Sequence, residues 1–280
     1  MIPEVESRAE SPEFSVIGLG QMAQALVFPL LSSGRIAPRQ LVASVGTQTS
    51  VQQRTEDSPE GVQIFAAGTH GAQRVWDAPI QLLAVKPQRL EAVAASAPMI
   101  SGTPLLISVL AGVNLTRLQQ LFPGHLCVRA VPNTPALVGA GLTALAWGEG
   151  VSAEQRQKVV QLFADVGEVL ELAEEKLDAF LALTSSGPAF VALMAEAMAD
   201  GAVAAGLPRD LAHRLAHRTL AGTAELLDKR HLHPGQLKDM VTSPAGTTIE
   251  GIRKLEHSGV RSALIEAVLA AADRSRALAG

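Results

Sequence analysis

The sequence predicts an α/β fold in which a doubly wound N-terminal domain is followed by an all-α C-terminal domain. Short apolar runs alternate with longer amphipathic segments through about the first 170 residues, which is typical of a parallel sheet covered by helices. Residues 81–85 are almost uniformly apolar, as expected of a strand buried on both faces. After residue 172 the strand patterns stop, and helical patterns continue to the end of the chain.

Eight strands are expected in the N-terminal domain. Each is a short run rich in β-branched or other apolar residues, and turn-forming residues bound most of these runs. The last two are further short strands that continue the alternation. The expected strands are residues 14–17, 40–45, 62–65, 80–85, 105–109, 127–131, 143–147 and 168–171.

The C-terminal half divides into several helices. Pro188 marks a helix start, and residues 206–208 and 233–235 mark breaks. The helix expected over residues 188–205 carries apolar side chains around most of its circumference, so it must be buried. A domain of about 110 residues can hardly cover that much apolar surface, so we expect a second subunit to complete the core. A compact monomeric bundle is the alternative.

A glycine turn follows the first expected strand. Gly18 permits a tight turn, Gly20 lets the backbone approach a phosphate, and Ala23 is small enough for close packing of helix on strand. The new helix would direct its free N–H groups at the anion. We therefore predict a Rossmann-like dinucleotide-binding domain over residues 14–172, with an ordinary strand-to-helix turn as the alternative. Residues 1–13 are expected to be a disordered tail, and residues 173–280 a helical dimerisation and substrate domain.

Composition excludes several classes of partner and site. The net charge of −4 gives no broad positive field, so nucleic acid and anionic membranes are not expected partners. Cys127 is the only cysteine and lies in an apolar run, which predicts a buried core residue and no disulfide. The first dozen residues do not resemble a secretory signal, and Gly, Pro and Asn interrupt the longest apolar stretches. We expect a protein that binds a small molecule and is cytoplasmic, with an organelle protein that lacks its presequence as the alternative.

Three loops carry polar groups suited to a ligand. Lys86 follows the fourth expected strand, and Asn133 and Thr134 follow the sixth, at the carboxyl edge where ligands bind in open α/β sheets. Residues 241–248 concentrate hydroxyls and backbone N–H groups ahead of a helix expected to start near Ile249. Such a helix start favours a carboxylate or another anion. Proline-rich turns and plain N-capping are the alternatives.

Five motifs resemble those of the pyrroline-5-carboxylate reductase family in order and spacing, and the likeness covers residues 14–278. The most specific is the last, in the loop ahead of the helix expected near Ile249. The motifs are Gly18-Leu19-Gly20-Gln21-Met22-Ala23, Ala84-Val85-Lys86-Pro87-Gln88, Val131-Pro132-Asn133-Thr134-Pro135-Ala136, Ser186-Gly187-Pro188-Ala189 and Thr242-Ser243-Pro244-Ala245-Gly246-Thr247-Thr248.

The resemblance implies a reductase that transfers hydride from NADPH or NADH to the C=N carbon of 1-pyrroline-5-carboxylate and yields L-proline, the final step of proline biosynthesis. Members of the family form intertwined homodimers through the helical domain, often assembled further into homodecamers. Thr248 would contact the ring nitrogen and is the catalytic candidate. The implied substrate-binding residues are Ser243, Gly246, Thr247 and Thr248, and the implied cofactor-binding residues are Gly18, Leu19, Gly20, Gln21, Met22, Ala23, Ser44, Thr47, Ala84, Val85, Lys86, Pro87, Ala111 and Asn133.

The segment after the second expected strand indicates which cofactor is preferred. Enzymes that use NAD usually place Asp or Glu there to bind the ribose hydroxyls, but residues 43–49 contain neither. Without a carboxylate, nothing in this segment repels a 2′-phosphate. We therefore predict a preference for NADPH, with the phosphate bound by residues among Ser44, Thr47, Gln48, Thr49 and Arg54.

Some positions depart from the common family pattern. Ala245 stands where the substrate loop commonly has glycine, and Phe190 stands where tyrosine is common. Three further positions also depart from the pattern. Gln21 lies at the phosphate turn, Val131 ends the sixth expected strand, and Thr184 precedes the helix start at Pro188. These changes leave open an altered substrate or a weakly active paralogue.

Two other functions are alternatives to imine reduction. A β-hydroxyacid dehydrogenase of the same fold would use a helix lysine as acid and base, and residues 184–207 contain no lysine. A non-catalytic regulatory protein would bind NADPH without turning over the imine. His213 and His217 are spaced four residues apart, as zinc ligands can be, but we predict no metal there or at His231 and His233 because no third ligand is evident.

Overall fold

The computed structural model describes residues 11–99 and 102–278. Of the tail expected over residues 1–13, residues 1–10 lie outside the described residues. The chain divides into two compact units. The first holds the chain up to Ser185 together with the residues from Ala272 onward, and the second is Ser186–Ala271. The expected boundary after residue 172 remains a prediction about domain organisation.

The first unit is built on one eight-stranded sheet with the order β3-β2-β1-β4-β5-β6-β7-β8. Neighbouring strands are parallel except β6 and β7, which are antiparallel. All eight expected strands are confirmed, with ends that differ by one or two residues. The strands are β1 Phe14–Ile17, β2 Leu41–Val45, β3 Gln63–Ala66, β4 Ile80–Leu83, β5 Leu105–Ser108, β6 Leu126–Val131, β7 Gly141–Trp147 and β8 Gly167–Glu171.

Helices cover both faces of this sheet, which confirms the doubly wound arrangement. Their bounds are α1 Gln21–Ser32, α2 Gln48–Asp57, α3 Leu90–Ser96, α4 Leu115–Leu121, α5 Ala153–Ala164 and α6 Leu177–Thr184. Leu26 of α1 and Phe163 of α5 belong to one apolar layer, whereas Leu118 of α4 and Leu177 of α6 belong to the other. Every residue of β1, β2 and β5 is buried, because the sheet is covered on both sides.

The second unit is entirely helical in its described secondary structure. The helices are α7 Gly187–Ala204, α8 Arg209–Lys229, α9 Pro234–Met240, α10 Thr247–His257 and α11 Val260–Leu278, whose last turns belong to the first unit. α7 and α8 pack through small side chains, because Ala199, Ala212 and Ala216 form the buried cluster between them. Small residues at a contact let two helices approach closely.

The apolar surface of α7 is not covered within one chain. Val191, Leu193 and Met198 are 45%, 66% and 45% exposed. The single chain does not cover this helix, as expected if a second subunit completes the core, and that second subunit stays a prediction here. Val191 and Met198 are seven residues apart and lie on the same face of α7, and an exposed apolar helix face is typical of an interaction surface.

In the part of the chain that the structure describes, one helical stretch, Glu174–Ala204, is long and apolar enough to cross a membrane on length and composition alone. The stretch is broken between α6 and α7, at Ser185 and Ser186, so it is not one continuous helix. A helix that packs against another protein passes the same test as a membrane span, and the match is weak support for a membrane protein.

Candidate functional site

The loops that follow the parallel strands meet at one edge of the sheet. The N–H of Gly18 donates to the carbonyl of Ser44 over 2.9 Å, just beyond the ends of β1 and β2. On the other side of β1, the N–H of Ala84 donates to the carbonyl of Ile17 over 2.8 Å. The turns after β1, β2 and β4 are therefore neighbours at the carboxyl edge, where a nucleotide binds in folds of this type.

Gly18 makes the first turn possible. Its φ is +98°, a conformation that L side chains rarely adopt. A Cβ at this position would lie 2.8 Å from both the Ala84 carbonyl oxygen and the Val85 Cγ1. Any side chain here would force the ends of β1 and β4 apart. The expected role of Gly18 as the residue of the tight turn agrees with this geometry.

Gly20 is the N-cap of α1 and supplies no capping side chain. The first N–H groups of a helix have no acceptor within the helix, so those of Gln21 and Met22 are available to an anion. A Cβ on Gly20 would meet no protein atom within 4 Å. The open space in front of Gly20, together with the wholly buried Ala23 behind it, fits the close approach of a pyrophosphate.

The turn after β2 contains the residues expected to select the cofactor. Ser44 is buried, and the hydroxyl of Thr47 caps α2 by accepting from the Ser50 N–H at 3.1 Å. Arg54 forms an ion pair with Asp57 at 2.9 Å, and the Gln24 amide oxygen lies within reach of its guanidinium once that amide is oriented to accept. Arg54 is thus already paired with Asp57, so a phosphate would have to share the guanidinium with that carboxylate.

The turns after β4 and β5 add further groups at the same edge. Ala84 and Val85 are half-buried, whereas the Lys86 side chain is exposed and its residue caps a short 3₁₀ turn that begins at Pro87. An exposed ammonium beside the glycine turn suits a phosphate. Ala111 is exposed in the loop between β5 and α4.

The Asn133 side chain, in the loop after β6, makes its hydrogen bonds mainly to backbone groups of the protein itself. Its side chain is buried, with Nδ2 donating to the carbonyl of Thr184 over 3.0 Å and Oδ1 accepting from the Leu142 N–H over 2.8 Å. The Ser185 hydroxyl likewise donates to the carbonyl of Pro132 over 3.1 Å. The amide of Asn133 retains one N–H for a ligand. A direct contact between Asn133 and the cofactor stays a prediction.

The loop of residues 243–248 lies in the second unit, at the start of α10. The helix begins at Thr247, two residues before the expected start near Ile249, because Gly246 takes the extended N-cap conformation. Thr247 and Thr248 therefore belong to the first turn, where N–H groups have no acceptor within the helix. Thr248 is half-buried, while Ser243 and Thr247 are exposed.

A tight turn shapes this loop. The N–H of Gly246 donates to the carbonyl of Ser243 over 3.0 Å, and Ala245 has a φ of +56°. Proline in the second position and a positive φ in the third are typical of a type II turn, which favours glycine in the third position. Ala245 thus occupies a position where its methyl group adds backbone strain.

Sequence reasoning missed a buried ionic cluster in the first unit. Arg129 in β6 is 3% exposed, and its Nη1 lies 3.3 Å from Glu174 Oε1 while its Nη2 lies 3.7 Å from Asp178 Oδ1. A charged residue inside an otherwise apolar strand was the available signal, because a buried charge requires a partner. The identity of those partners depends on the fold.

The remaining candidate ligands do not form a metal site. His213 and His217 lie near each other on α8, with ring centroids 6.3 Å apart. Within residues 11–99 and 102–278 no group of three His, Cys, Asp or Glu side chains is arranged to hold a metal ion. Cys127 is buried, as its apolar surroundings in the sequence predicted.

Two family models match separate parts of the chain. Residues 13–112 match "NADP oxidoreductase coenzyme F420-dependent", and residues 174–278 match "Pyrroline-5-carboxylate reductase dimerisation". The first range contains the glycine turn and the turns after β2, β4 and β5. The second contains α7 and the loop of residues 243–248.

Full-length relatives are similar over almost the whole chain. The pyrroline-5-carboxylate reductase of Synechocystis sp. is 45% identical and covers 96% of this chain and 98% of the relative. That of Arabidopsis thaliana is 39% identical, with 96% of each chain covered. Among solved structures, Plasmodium falciparum pyrroline carboxylate reductase with NADP bound has a TM-score of 0.83 at 27% identity, covering 97% of this chain and 99% of that one. The Streptococcus pyogenes enzyme has a TM-score of 0.84 at 27% identity, covering 94% and 98%.

Proposed function

This chain belongs to the pyrroline-5-carboxylate reductase family, and from that premise we propose how its residues reduce 1-pyrroline-5-carboxylate to L-proline. The protein is an NAD(P)H-dependent oxidoreductase that acts on a C=N bond. The observation that carries this function is the 45% identity over 96% of the chain. The reaction consumes one hydride and one proton, so the imine becomes a secondary amine while NADPH becomes NADP⁺.

The cofactor is bound along the carboxyl edge of the sheet. Gly18 and Gly20 admit the pyrophosphate, and the free N–H groups at Gln21 and Met22 donate to it. Lys86 contributes a positive charge at the phosphates. Leu19 and Ala23 are buried beneath the turn. Ala84, Val85, Pro87, Ala111 and Asn133 would complete the contacts with the cofactor. The bound nicotinamide supplies the hydride.

NADPH is the preferred cofactor. The turn after β2 carries no carboxylate, and the Thr47 hydroxyl lies at the N-terminus of α2, where an anion is favoured. The 2′-phosphate is expected to contact Ser44 and Thr47, with Arg54 sharing its charge between Asp57 and the phosphate. The NADP-bound state of the Plasmodium falciparum structure supports the use of this cofactor.

The substrate carboxylate is held at the start of α10. The unpaired N–H groups of the first helical turn and the hydroxyls of Ser243 and Thr247 bind a carboxylate without an arginine. Gly246 keeps the backbone close to the carboxylate because it has no side chain. Thr248 is half-buried in the same turn, which suits a hydroxyl that contacts the ring nitrogen.

The chemistry demands little more than orientation. A protonated cyclic imine is already electrophilic, so no enzyme nucleophile is needed. The residues at the site hold the ring carbon against the nicotinamide and exclude water, and this positioning lowers the barrier to hydride transfer. The Thr248 hydroxyl oxygen accepts a hydrogen bond from the N–H of the protonated imine and so stabilises its positive charge. The same contact can persist after hydride transfer, when the ring nitrogen is an amine.

The helical unit is where two copies associate. The match of residues 174–278 to a dimerisation family supports oligomer formation, and the exposed apolar side chains of α7 supply a surface for it. Coverage by a second copy also accounts for the apolar stretch Glu174–Ala204 without a membrane. The finer proposal is a homodimer whose sites combine both copies, assembled as a pentamer of dimers in the cytoplasm.

The function is tested by mixing the purified protein with NADPH and 1-pyrroline-5-carboxylate. Loss of the reduced-nicotinamide absorbance matched by L-proline formation is the expected result. Binding of NADPH without turnover of this imine, in a properly folded sample, would contradict the proposed reaction and favour another cyclic imine or a regulatory role. Dilution below the dimer dissociation range should abolish activity, and a fully active monomer would contradict the shared site.

A further inference from the structure

The C-terminal turn of α11 lies against the loop that carries Ala111. Gly112, the next residue, has a φ of +72°, and a Cβ on it would lie 2.6 Å from the carbonyl oxygen of Leu278. One turn earlier, Ser275 is 3% exposed although it is polar. The last turn of α11 is therefore packed against the loop between β5 and α4, and only glycine fits at the point of closest approach.

Polar contacts fix both the helix end and the far side of the loop. The Ser275 hydroxyl donates to Asp178 Oδ1 over 2.6 Å, and the same carboxylate oxygen faces the buried guanidinium of Arg129 at 3.7 Å. Glu174 pairs with Arg129 at 3.3 Å and also accepts from the Leu115 N–H, the first of α4, at 2.7 Å. Arg129 therefore connects two contacts: the Ser275–Asp178 hydrogen bond, which holds α11, and the Leu115–Glu174 hydrogen bond, which holds the start of α4.

The loop between these anchors contains Ala111 at the carboxyl edge of the sheet. β5 is the direct neighbour of β4, and the N–H of Val109 still donates to the carbonyl of Leu83 over 3.0 Å as the chain leaves the strand. Only Leu110 and Ala111 lie between Val109 and Gly112, the residue that meets Leu278. Its position at the edge is consequently set by the last turn of α11 as well as by the sheet.

We propose that Gly112 and Ser275 are positioning residues for the cofactor, because they hold the Ala111 loop against the C-terminal turn of α11. This inference rests on the proposed function, in which Ala111 contacts the nicotinamide cofactor. Neither residue is among the expected cofactor contacts. Displacing the loop by a fraction of an ångström should weaken NADPH binding while leaving the substrate loop of residues 243–248 unchanged.

The test compares Gly112→Ala with Gly34→Ala. Gly34 has a φ of +73°, almost the same as Gly112, but a Cβ there would meet nothing within 4 Å. Both variants carry the same backbone penalty, so the difference between them isolates the contact with Leu278. Calorimetric titration with NADPH should show binding weakened about tenfold in Gly112→Ala and unchanged in Gly34→Ala. The KM for NADPH should rise while kcat at saturating NADPH stays near that of the unmodified protein.

Ser275→Ala provides the second arm. Releasing the end of α11 should by itself weaken NADPH binding. In the Ser275→Ala background, Gly112→Ala should reduce NADPH affinity by a smaller factor, because α11 can move away from the added methyl group. Unchanged NADPH binding in both single variants, or fully additive effects in the double variant, would overturn the proposal. Because NADPH binding is measured without the imine, failure of the unmodified protein to make proline would be recognised separately.

Discussion

The hydroxyl oxygen of Ser243 occupies the space into which a side chain on Gly246 would project. A Cβ on Gly246 would collide with Ser243 Oγ and lie 3.1 Å from the Ser243 carbonyl oxygen. The same carbonyl accepts the Gly246 N–H over 3.0 Å, so the two residues close one turn. The absence of a side chain at Gly246 therefore allows Ser243 to keep its hydroxyl at the start of α10.

Gly246→Ala should fold but displace the Ser243 hydroxyl. A serine side chain can rotate to a new rotamer at small cost, and the substrate carboxylate would then lose that donor. We expect the KM for 1-pyrroline-5-carboxylate to rise about tenfold, the equivalent of one hydrogen bond to a charged group, with the KM for NADPH unchanged. Steady-state kinetics with each substrate varied in turn measures this.

The double variant Ser243→Ala, Gly246→Ala separates the hydroxyl from other effects. If Gly246 acts through Ser243, the double variant should behave like Ser243→Ala alone. Additive losses would show that the methyl group obstructs the site independently of Ser243.

Thr248→Val should lower kcat by about 10- to 100-fold, because removing a hydrogen bond to a charged group costs about 1.5 to 3 kcal/mol. Valine keeps the shape of threonine without its hydroxyl, and Thr248→Ser keeps the hydroxyl. Serine should therefore restore most of the activity that valine loses. Equal activities of the valine variant and the unmodified protein would show that the Thr248 hydroxyl has no part in the reaction.

Thr47→Asp should reverse the cofactor preference without unfolding α2. Aspartate caps a helix at least as well as threonine, so the contact with the Ser50 N–H can be retained. Its charge would repel a 2′-phosphate and could accept from ribose hydroxyls. We expect kcat/KM with NADPH to fall at least about fivefold relative to NADH, since one like-charge contact costs about 1 kcal/mol or more. Thr47→Ser is the matched control, and an unchanged ratio in Thr47→Asp would place the phosphate elsewhere.

Cys127 should be unreactive in the folded protein. Burial raises the pKa of its thiol to about 12, so almost no thiolate is present at neutral pH. A maleimide reagent should label it only as denaturant unfolds the first unit, with the same midpoint as circular dichroism. Fast stoichiometric labelling under native conditions would contradict the buried placement.

His125 should make the fold less stable in acid. It packs edge-on against Trp76 and Phe122, and its Nε2 lies 3.2 Å from the Gln81 amide oxygen. Burial lowers the pKa of His125 in the folded state, so the unfolded chain binds this proton more tightly. Its contribution to stability is present above the unfolded pKa of about 6.5 and is lost as the pH falls below it.

The corresponding measurement is the pH dependence of thermal unfolding for the unmodified protein and His125→Gln. The unmodified protein should be the more stable at pH 7.5, and the difference in unfolding temperature should shrink toward pH 5. A difference that stays constant over this range would mean that the protonation of His125 does not affect stability.

Local sequence patterns were sufficient for the sheet. The run that forms β4 is apolar except for Gln81, and Gly18 is marked by its residue type as part of a turn after the first strand. Both signals are local in the sequence, so the strands and the glycine turn could be predicted without the fold. The close approach of Ala84 adds a long-range reason for glycine at position 18 that the sequence pattern does not contain.

Long-range pairing could not be predicted in this way. Asn133 follows a strand at the ligand-binding edge, yet its amide bonds Thr184, 51 residues away. Arg129 depends on two carboxylates that reach it from beyond β8. The start of α10 was misplaced because four hydroxyl-bearing residues compete for the cap, whereas Gly246 takes that position.

The most direct test of the central claim follows the hydride itself. The purified protein is incubated with 1-pyrroline-5-carboxylate and NADPH that carries deuterium at the transferring position of the nicotinamide, and the product is analysed by mass spectrometry and NMR. The account predicts L-proline with one deuterium on the former imine carbon for each NADPH oxidised. Proline without deuterium at that carbon, or bound NADPH that is never oxidised in the presence of the imine, would contradict it.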